Sequence, residues 1–311
     1  MGTRFVRFDD GDGARWAVVV GDEARPLVDR YATTAALLAA VAEGAPATEA
    51  PRPLAGLPLR SPVTAPCRVI AQAMNYADHA REVGASAEGR PNILFCKSAA
   101  SLAGPTAPLT RPAHVRLLDY EVELGLVVGA PIRGPVTVSD ADLPRYIGAL
   151  VVANDISARD VQVPEGQFYK GKSYPGFLPC GPFLFVPTPA ELARWPELRL
   201  RLWVNGEPRQ DATCAAMIHR PAATLTELST FEHLDPGDLI LTGTPGGVAL
   251  APPGGLVRAI AGFLPEAKRW RLFVEGQAKR AQYLKPGDAV RAAIATDDGA
   301  IDLGEQAFVV R

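Results

Sequence analysis

Apolar positions along this chain come in short bursts separated by turn residues. Phe5-Val6-Arg7-Phe8 and Trp16-Ala17-Val18-Val19-Val20 flank Asp9-Asp10-Gly11-Asp12-Gly13. That arrangement predicts a small β-hairpin unit over residues 4–29. Residues 32–42 are rich in Ala and Leu and predict one short helix. Residues 44–66 are dense in Pro and Gly. They read as a linker or irregular excursion between a small N-terminal β/α module (1–65) and a main body (66–311). In the main body, residues 198–204 read as a strand closed by Asn205-Gly206, the commonest hairpin pair. Pro236-Gly237-Asp238 and Pro286-Gly287-Asp288 each precede an apolar run and predict turns feeding strands. Short helices are expected over 76–83, 222–231 and 189–195. The last carries Thr188 and Glu191 at capping-box spacing, with Pro189 at the first helical position. The sum is a β-rich α+β fold.

Residues 119–129 alternate in a way that carries chemistry. On a strand, Val122, Leu124, Leu126 and Val128 share one apolar face, while Glu121 and Glu123 share the other, about 7 Å apart. Gly125 and Gly129 leave space on that second face. Two neighbouring carboxylates repel, and burial worsens the conflict. A hard divalent cation such as Mg²⁺ or Mn²⁺ resolves it. An exposed strand with two solvated glutamates fits this segment equally well. A second apolar run, 146–153, delivers Asn154-Asp155 and then Ile156-Ser157-Ala158-Arg159-Asp160-Val161-Gln162. A polar cluster directly after a buried strand marks a site-bearing loop. Asp155 is the candidate third carboxylate, and Ser157 a candidate cap for a following turn or helix.

Composition narrows the class. Hydrophobic residues are 48% and charged residues 21%, with a net charge of -2, an ordinary globular balance that excludes a strongly basic nucleic-acid-binding protein. The N-terminus has no secretory apolar core, and no apolar run approaches the roughly 18–20 residues of a membrane span. A cytoplasmic protein is the expectation. Cys67, Cys96, Cys180 and Cys214 are too scattered for a zinc site and read as small buried thiols in a reducing compartment.

Seven segments in order resemble the fumarylacetoacetate hydrolase family. They are Asn75-Tyr76-xx-His79-xx-Glu82, Asp119-Tyr120-Glu121-Val122-Glu123-Leu124, Asn154-Asp155-xx-Ala158-Arg159-Asp160-Val161-Gln162, Gly171-Lys172-Ser173, Gly181-Pro182, Val204-Asn205-Gly206-Glu207, and Pro236-Gly237-Asp238 running into Thr242-Gly243-Thr244-Pro245. The resemblance implies a catalytic domain of mixed β-sheets rolled around the site, and Glu121, Glu123 and Asp155 as metal ligands. It implies Mg²⁺ or Mn²⁺ (Ca²⁺ as a further candidate), a small oxo-acid substrate and a homodimer. The activity implied is C–C bond hydrolysis of an acylpyruvate-like 1,3-diketo acid through an enolate. An isomerase, decarboxylase or tautomerase of a 2-oxo diacid is the alternative, because one fold hosts several chemistries. A silent metal-binding scaffold is the reading outside the enzyme class.

The residue roles follow, each with a plainer counterpart. His79 and Glu82 share a helix face, and a carboxylate beside an imidazole raises its basicity, fitting the implied general-base pair; a surface His–Glu contact is the plainer reading. Lys172 matches a site lysine able to stabilise an oxyanion, although Lys170 serves equally as a loop lysine. Arg159 and Gln162 can hold a substrate carboxylate or orient Asp155, whereas Arg159 can simply pair with Asp160. Thr244 offers a hydroxyl or backbone N–H to the substrate, with Gly243 permitting close approach; a tight turn closing a strand is the plainer reading. Lys97 matches a family lysine, but Ser98 stands where the family has proline. His114, His219 and His233 read as structural. The segment 249–284 exceeds the family's usual short loop; the options are a cover for the site, an extension of the dimer contact, or an edge decoration.

Overall fold

A computed structural model describes residues 1–82, 89–251 and 264–311. The hairpin expected at the N-terminus forms from β1 (Thr3–Asp9) and β2 (Ala14–Val20), and α1 (Thr34–Glu43) follows. Thr33 caps α1 by accepting from the Ala36 N–H at 3.1 Å. The main body begins with β3 (Val69–Ala73), α2 (Ala77–Glu82) and β4 (Ile93–Lys97). Next come β5 (Val122–Val128), β6 (Ile147–Asn154), α3 (Arg159–Glu165), α4 (Tyr169–Lys172) and β7 (Leu184–Val186). The chain ends with β8 (Arg199–Val204), β9 (Glu207–Thr213), α5 (Pro221–Leu228), β10 (Leu239–Leu241), α6 (Glu266–Gln277), β11 (Ala289–Ala295) and β12 (Asp302–Val309).

Eleven strands of the described residues form one mixed sheet, with β2-β1-β7-β6-β5-β10-β3-β4 along its spine. Residues 44–66 are tied into it. Arg52–Pro53 pairs with Glu23–Pro26, and Leu59–Arg60 pairs with β1. Through β1 and β7 the N-terminal strands continue the sheet of the main body. A second, antiparallel sheet has the order β9-β8-β11-β12. Its β8–β9 turn is the expected Asn205-Gly206 pair, at φ 52° and 82°, the two positive values a tight hairpin needs. Among the described residues neither sheet closes into a barrel; the site lies at strand ends of the large sheet.

β5 is buried on both faces. Val122, Leu124, Leu126 and Val128 face a core shared with Leu200, Leu202 and Ile294 of the second sheet. Val127 faces a second core with Val151, Leu239, and Leu37 of α1. The space expected opposite Gly125 is filled by Val151 and Leu239: a Cβ there would meet Val151 Cγ2 at 2.6 Å. Two sequence expectations shift. The helix after Asp155 starts at Arg159 with Ala158 as its cap, and Ser157 donates its hydroxyl to the Asp155 carbonyl at 3.0 Å instead. The 189–195 helix stops at Leu192, though its Thr188–Glu191 capping box forms. Val83 lies outside the described residues. The four cysteines are free; Cys180 and Cys214 are buried, but Cys96 is exposed because it alternates outward on β4, at one end of the sheet.

Candidate metal centre

Neighbouring strands of the large sheet end at one place, and each end delivers site residues. β5 pairs with β6, Val122 opposite Asn154, and with β10, Gly125 opposite Leu241. β10 runs parallel to β3, Leu241 opposite Ala71. Glu121 and Glu123 therefore lie beside Asp155, beside Gly243-Thr244 after β10, and beside the turn after β3 that leads into α2. Backbone contacts lock the junction: Asp155 N–H donates to the Glu121 carbonyl at 2.8 Å, and Glu121 N–H to Asn154 Oδ1 at 3.0 Å.

One carboxylate oxygen from each of Glu121, Glu123 and Asp155 falls within 4.8 Å of the others. The three residues are 4%, 1% and 0% exposed, which rules out two solvated glutamates on an open strand. Three cations sit among them. Arg159 donates through Nε to Asp119 Oδ2 at 2.8 Å, through Nη1 to Gln162 Oε1 at 2.8 Å, and through Nη2 to Glu121. Lys172 Nζ donates to Glu121 Oε2 at 2.5 Å and to Asp155 Oδ2. Lys97 Nζ lies 2.7 Å from Asp155 Oδ1.

The charges do not balance. Asp119, Glu121, Glu123 and Asp155 are four buried carboxylates, against the three buried cations Lys97, Arg159 and Lys172. Burial pushes the Glu121 carboxyl up, but Arg159, Lys172 and His79 outweigh it and hold this group well below its ordinary range. Glu123 goes the other way: burial first, then Asp155 and Glu121, push it well above the ordinary carboxylate range. Lys97 directs its hydrogens to the carbonyls of Lys172, Phe177 and Ile156. Asp155 Oδ1 consequently has a charge neighbour but no aligned hydrogen bond. A buried carboxylate oxygen without an aligned hydrogen bond, a carboxyl whose titration is driven upward by burial and crowding, and an all-oxygen donor set fit a hard divalent cation. Such an ion would turn one excess negative charge into one excess positive charge, suited to an anionic ligand.

A cavity of about 270 Å³ opens over this centre, lined by His79, Glu121, Glu123, Arg159, Gln162, Lys172 and Thr244 among others. Of the sequence-predicted residues, Asp155 lies in the triad beneath it, and Glu82 stands outside, its carboxylate 3.7 Å from His79 Nδ1. Glu82 accepts from the Gly247 N–H at 2.9 and 3.0 Å. Burial raises its pKa, but His79 and the Gly247 N–H outweigh that and leave it lowered. Glu82 thus stays ionised beside the imidazole.

Several plainer readings fail. Arg159 turns from Asp160, which instead accepts from the Arg116 N–H at 2.6 Å; Arg159 positions Glu121 rather than Asp155. Lys172 is buried, which overturns its reading as a solvated loop lysine, whereas Lys170 is exposed and pairs with Glu165 at 2.6 Å. The Thr244 hydroxyl is already engaged, donating to the Val122 carbonyl at 3.0 Å and accepting from Gln210 Nε2 at 2.7 Å. The Thr244 backbone N–H has no acceptor among the described residues. Ser98, in place of proline, supplies a backbone N–H that donates to Ser173 Oγ at 3.0 Å. Proline has no such donor, so the departure ties the Lys97 loop to the Lys172 segment.

Three site residues escaped the sequence reading: Lys97 as an ion-pair partner, Asp119 and Gln210. Asp119 stands in the acidic run before β5, which was a usable signal. It also accepts from the N–H groups of Ala249 and Leu250 at 2.8 and 3.1 Å. The opening of the 249–284 segment is therefore pinned to the centre, and Leu250 walls the cavity. Gln210 comes from the second sheet and joins β5 to the Thr244 loop, accepting from the Val122 N–H at 3.0 Å; no local pattern announces it.

Gly243 is held at φ +83°, donates its N–H to Glu123 Oε2 at 2.7 Å, and would place a Cβ 2.7 Å from Asn75 Cβ. Both the left-handed backbone and the close approach require glycine. Gly243→Ala should cost at least about 1–2 kcal/mol in urea denaturation and weaken divalent-cation binding. An unchanged midpoint and affinity would show that the loop relaxes freely.

The chain is similar in sequence and fold to known proteins. The family profile described as fumarylacetoacetate (FAA) hydrolase C-terminal matches residues 68–311. A Mycobacterium tuberculosis protein, Rv2993c, is 34% identical over 256 residues, covering 82% of this chain and 92% of its own length. A bovine mitochondrial protein named oxaloacetate tautomerase FAHD2A is 37% identical over 192 residues, 61% of this chain and 59% of that one. The solved structure of a fumarylacetoacetate hydrolase from Exiguobacterium antarcticum superposes with a TM-score of 0.74 at 26% identity, covering 99% of each chain.

Proposed function

The chain belongs to the fumarylacetoacetate hydrolase family, and from that premise we propose that it hydrolyses a C–C bond in an acylpyruvate-like oxo acid, working as a homodimer. The observation that carries the reading is the buried Glu121–Glu123–Asp155 cluster with an imidazole on the same cavity. Glu121, Glu123 and Asp155 would hold Mg²⁺ or Mn²⁺, with Ca²⁺ offering the same oxygen chemistry. When bound, such an ion polarises a substrate carbonyl as a Lewis acid and stabilises enolate charge.

The residues divide the remaining work. His79 Nδ1 faces Glu82, which leaves Nε2 to take the proton of the attacking water. The ionised Glu82 stabilises the imidazolium that results. Water adds to the carbonyl remote from the oxo-carboxylate, the bond between that carbon and the pyruvate methylene breaks, and the methylene is then reprotonated. Lys172 keeps a buried positive charge beside the centre, favouring the anion that develops. Arg159 holds Glu121 in place.

A second reading is tautomerisation or decarboxylation of a 2-oxo diacid, favoured by the likeness to the bovine protein named as a tautomerase. It uses the same proton transfers without water attack. Incubation with acylpyruvates and Mg²⁺ should yield pyruvate and a carboxylic acid in equal amounts. Acceleration of oxaloacetate enol–keto exchange with acylpyruvates untouched would select the second reading. Undiminished turnover in excess chelator would sink both. His79→Asn should slow hydrolysis about 10²–10⁴-fold while leaving the calorimetric affinity for Mg²⁺ unchanged; equal losses in both would make His79 a structural residue.

A further inference from the structure

The lining of the cavity has two chemical characters. Around the carboxylates it is charged. Elsewhere it is built by Ala73, Met74, Val163, Phe168 and Leu250. These side chains are half-buried, so part of each faces the open space. Phe168 is braced edge-on by Phe95, ring centroids 4.9 Å apart at 90°. Leu250 is anchored through its backbone N–H to Asp119. The apolar wall is fixed rather than draped.

Among the described residues the cations lining the cavity are Arg159 and Lys172. Both are already engaged, Arg159 by Asp119, Glu121 and Gln162, and Lys172 by Glu121 and Asp155. Gln72, the remaining amide of the wall, donates to Asn92 and Thr224 at 2.9 and 3.0 Å. Arg90 reaches Met74 Sδ at 3.3 Å and is not itself part of the lining.

We infer that the end of the substrate remote from its oxo-carboxylate is apolar, an acyl chain or aryl group, and not a second carboxylate. The inference rests on the oxo-acid reading above and sharpens it. A second carboxylate against Met74, Val163, Phe168 and Leu250 would lose hydration without gaining an unengaged cation among the described residues. A methylene there gains affinity roughly threefold to fourfold. Leu250 makes the opening of the 249–284 segment a determinant of specificity.

The test uses oxamates, whose oxo-carboxylate head mimics the enolate and whose nitrogen carries a chosen tail. Calorimetry of the full-length, Mg²⁺-loaded protein should show N-isopentyl oxamate binding at least tenfold tighter than N-(2-carboxyethyl) oxamate, a tail of equal length and branching. Leu250→Arg should reverse that order, and Val163→Lys serves should the first variant fail to fold. Equal or tighter binding of the carboxyethyl compound overturns the inference; its loss in Arg90→Gln would then identify Arg90 as the receptor of a diacid. Binding of oxalate but of neither substituted oxamate also overturns it while leaving the oxo-acid reading standing. Failure of oxalate itself to bind removes that reading and the inference with it.

Discussion

In excess chelator the Glu123→Gln protein should melt above the parent, and in millimolar Mg²⁺ it should melt below it. Glu123 is 1% exposed and faces two other carboxylates. Replacing it with a neutral isostere removes repulsion from the metal-free protein, a gain of about 1–4 kcal/mol by analogy with other relieved buried charges. The same change removes a ligand. The parent at a hundredfold excess of ion over its dissociation constant gains about 2.7 kcal/mol from binding, and the variant forgoes most of this. The crossing of the two melting curves is the diagnostic, since a merely structural glutamate moves both in one direction.

A pH signature accompanies it. The folded Glu123 carboxyl titrates well above its ordinary value of 4.5, pushed up by burial and by Asp155 and Glu121. Its protonation therefore contributes stability that is fully present below pH 4.5 and lost as pH rises through the folded value. The metal-free parent should lose stability relative to the variant over that rise. Glu121, lowered by Arg159 and Lys172 against the push of burial, acts in the opposite sense and is common to both proteins. Parallel pH profiles of melting temperature in chelator would show that crowding at Glu123 is absent.

Arg159→Met should cost about 3–5 kcal/mol in chemical denaturation, the range for breaking a buried ion pair. Arg159 is 3% exposed, and its guanidinium joins two buried carboxylates, Asp119 and Glu121. Methionine fills much of its volume but leaves both anions without their counter-charge. Adding Asp119→Asn should recover part of the loss, because an amide oxygen in the Oδ1 position still accepts from the Ala249 N–H while one orphaned charge disappears; the Leu250 N–H, which donates to Oδ2, loses its acceptor, so the recovery stays partial. A double variant no more stable than Arg159→Met would mean that packing of the arginine stem, not its charge, supports this region.

Much of this architecture was legible from local patterns. The hairpin around Asp9–Gly13, the helix after Thr33, the Thr188–Glu191 capping box and the Asn205-Gly206 turn each depend on residues within a few positions of one another. The alternation from Glu121 to Val128 placed two carboxylates on one face, and the apolar run into Asp155 supplied the third. Period-2 patterning and turn chemistry act through neighbours along the chain, so they survive in the sequence.

What alternation left open was whether the face carrying Glu121 and Glu123 meets water. Val127 packing with Val151, Leu239 and Leu37 settles it, and those contacts join positions far apart in the chain. The same holds for Lys97 at Asp155, Gln210 at Thr244, Arg159 at Asp119, and Asp119 at the backbone of Leu250. The sequence alone determined which side chains could form the centre and in what local geometry. Only the tertiary structure decided that they are buried together, because desolvation and charge crowding depend on which distant segments the fold brings within a few ångströms.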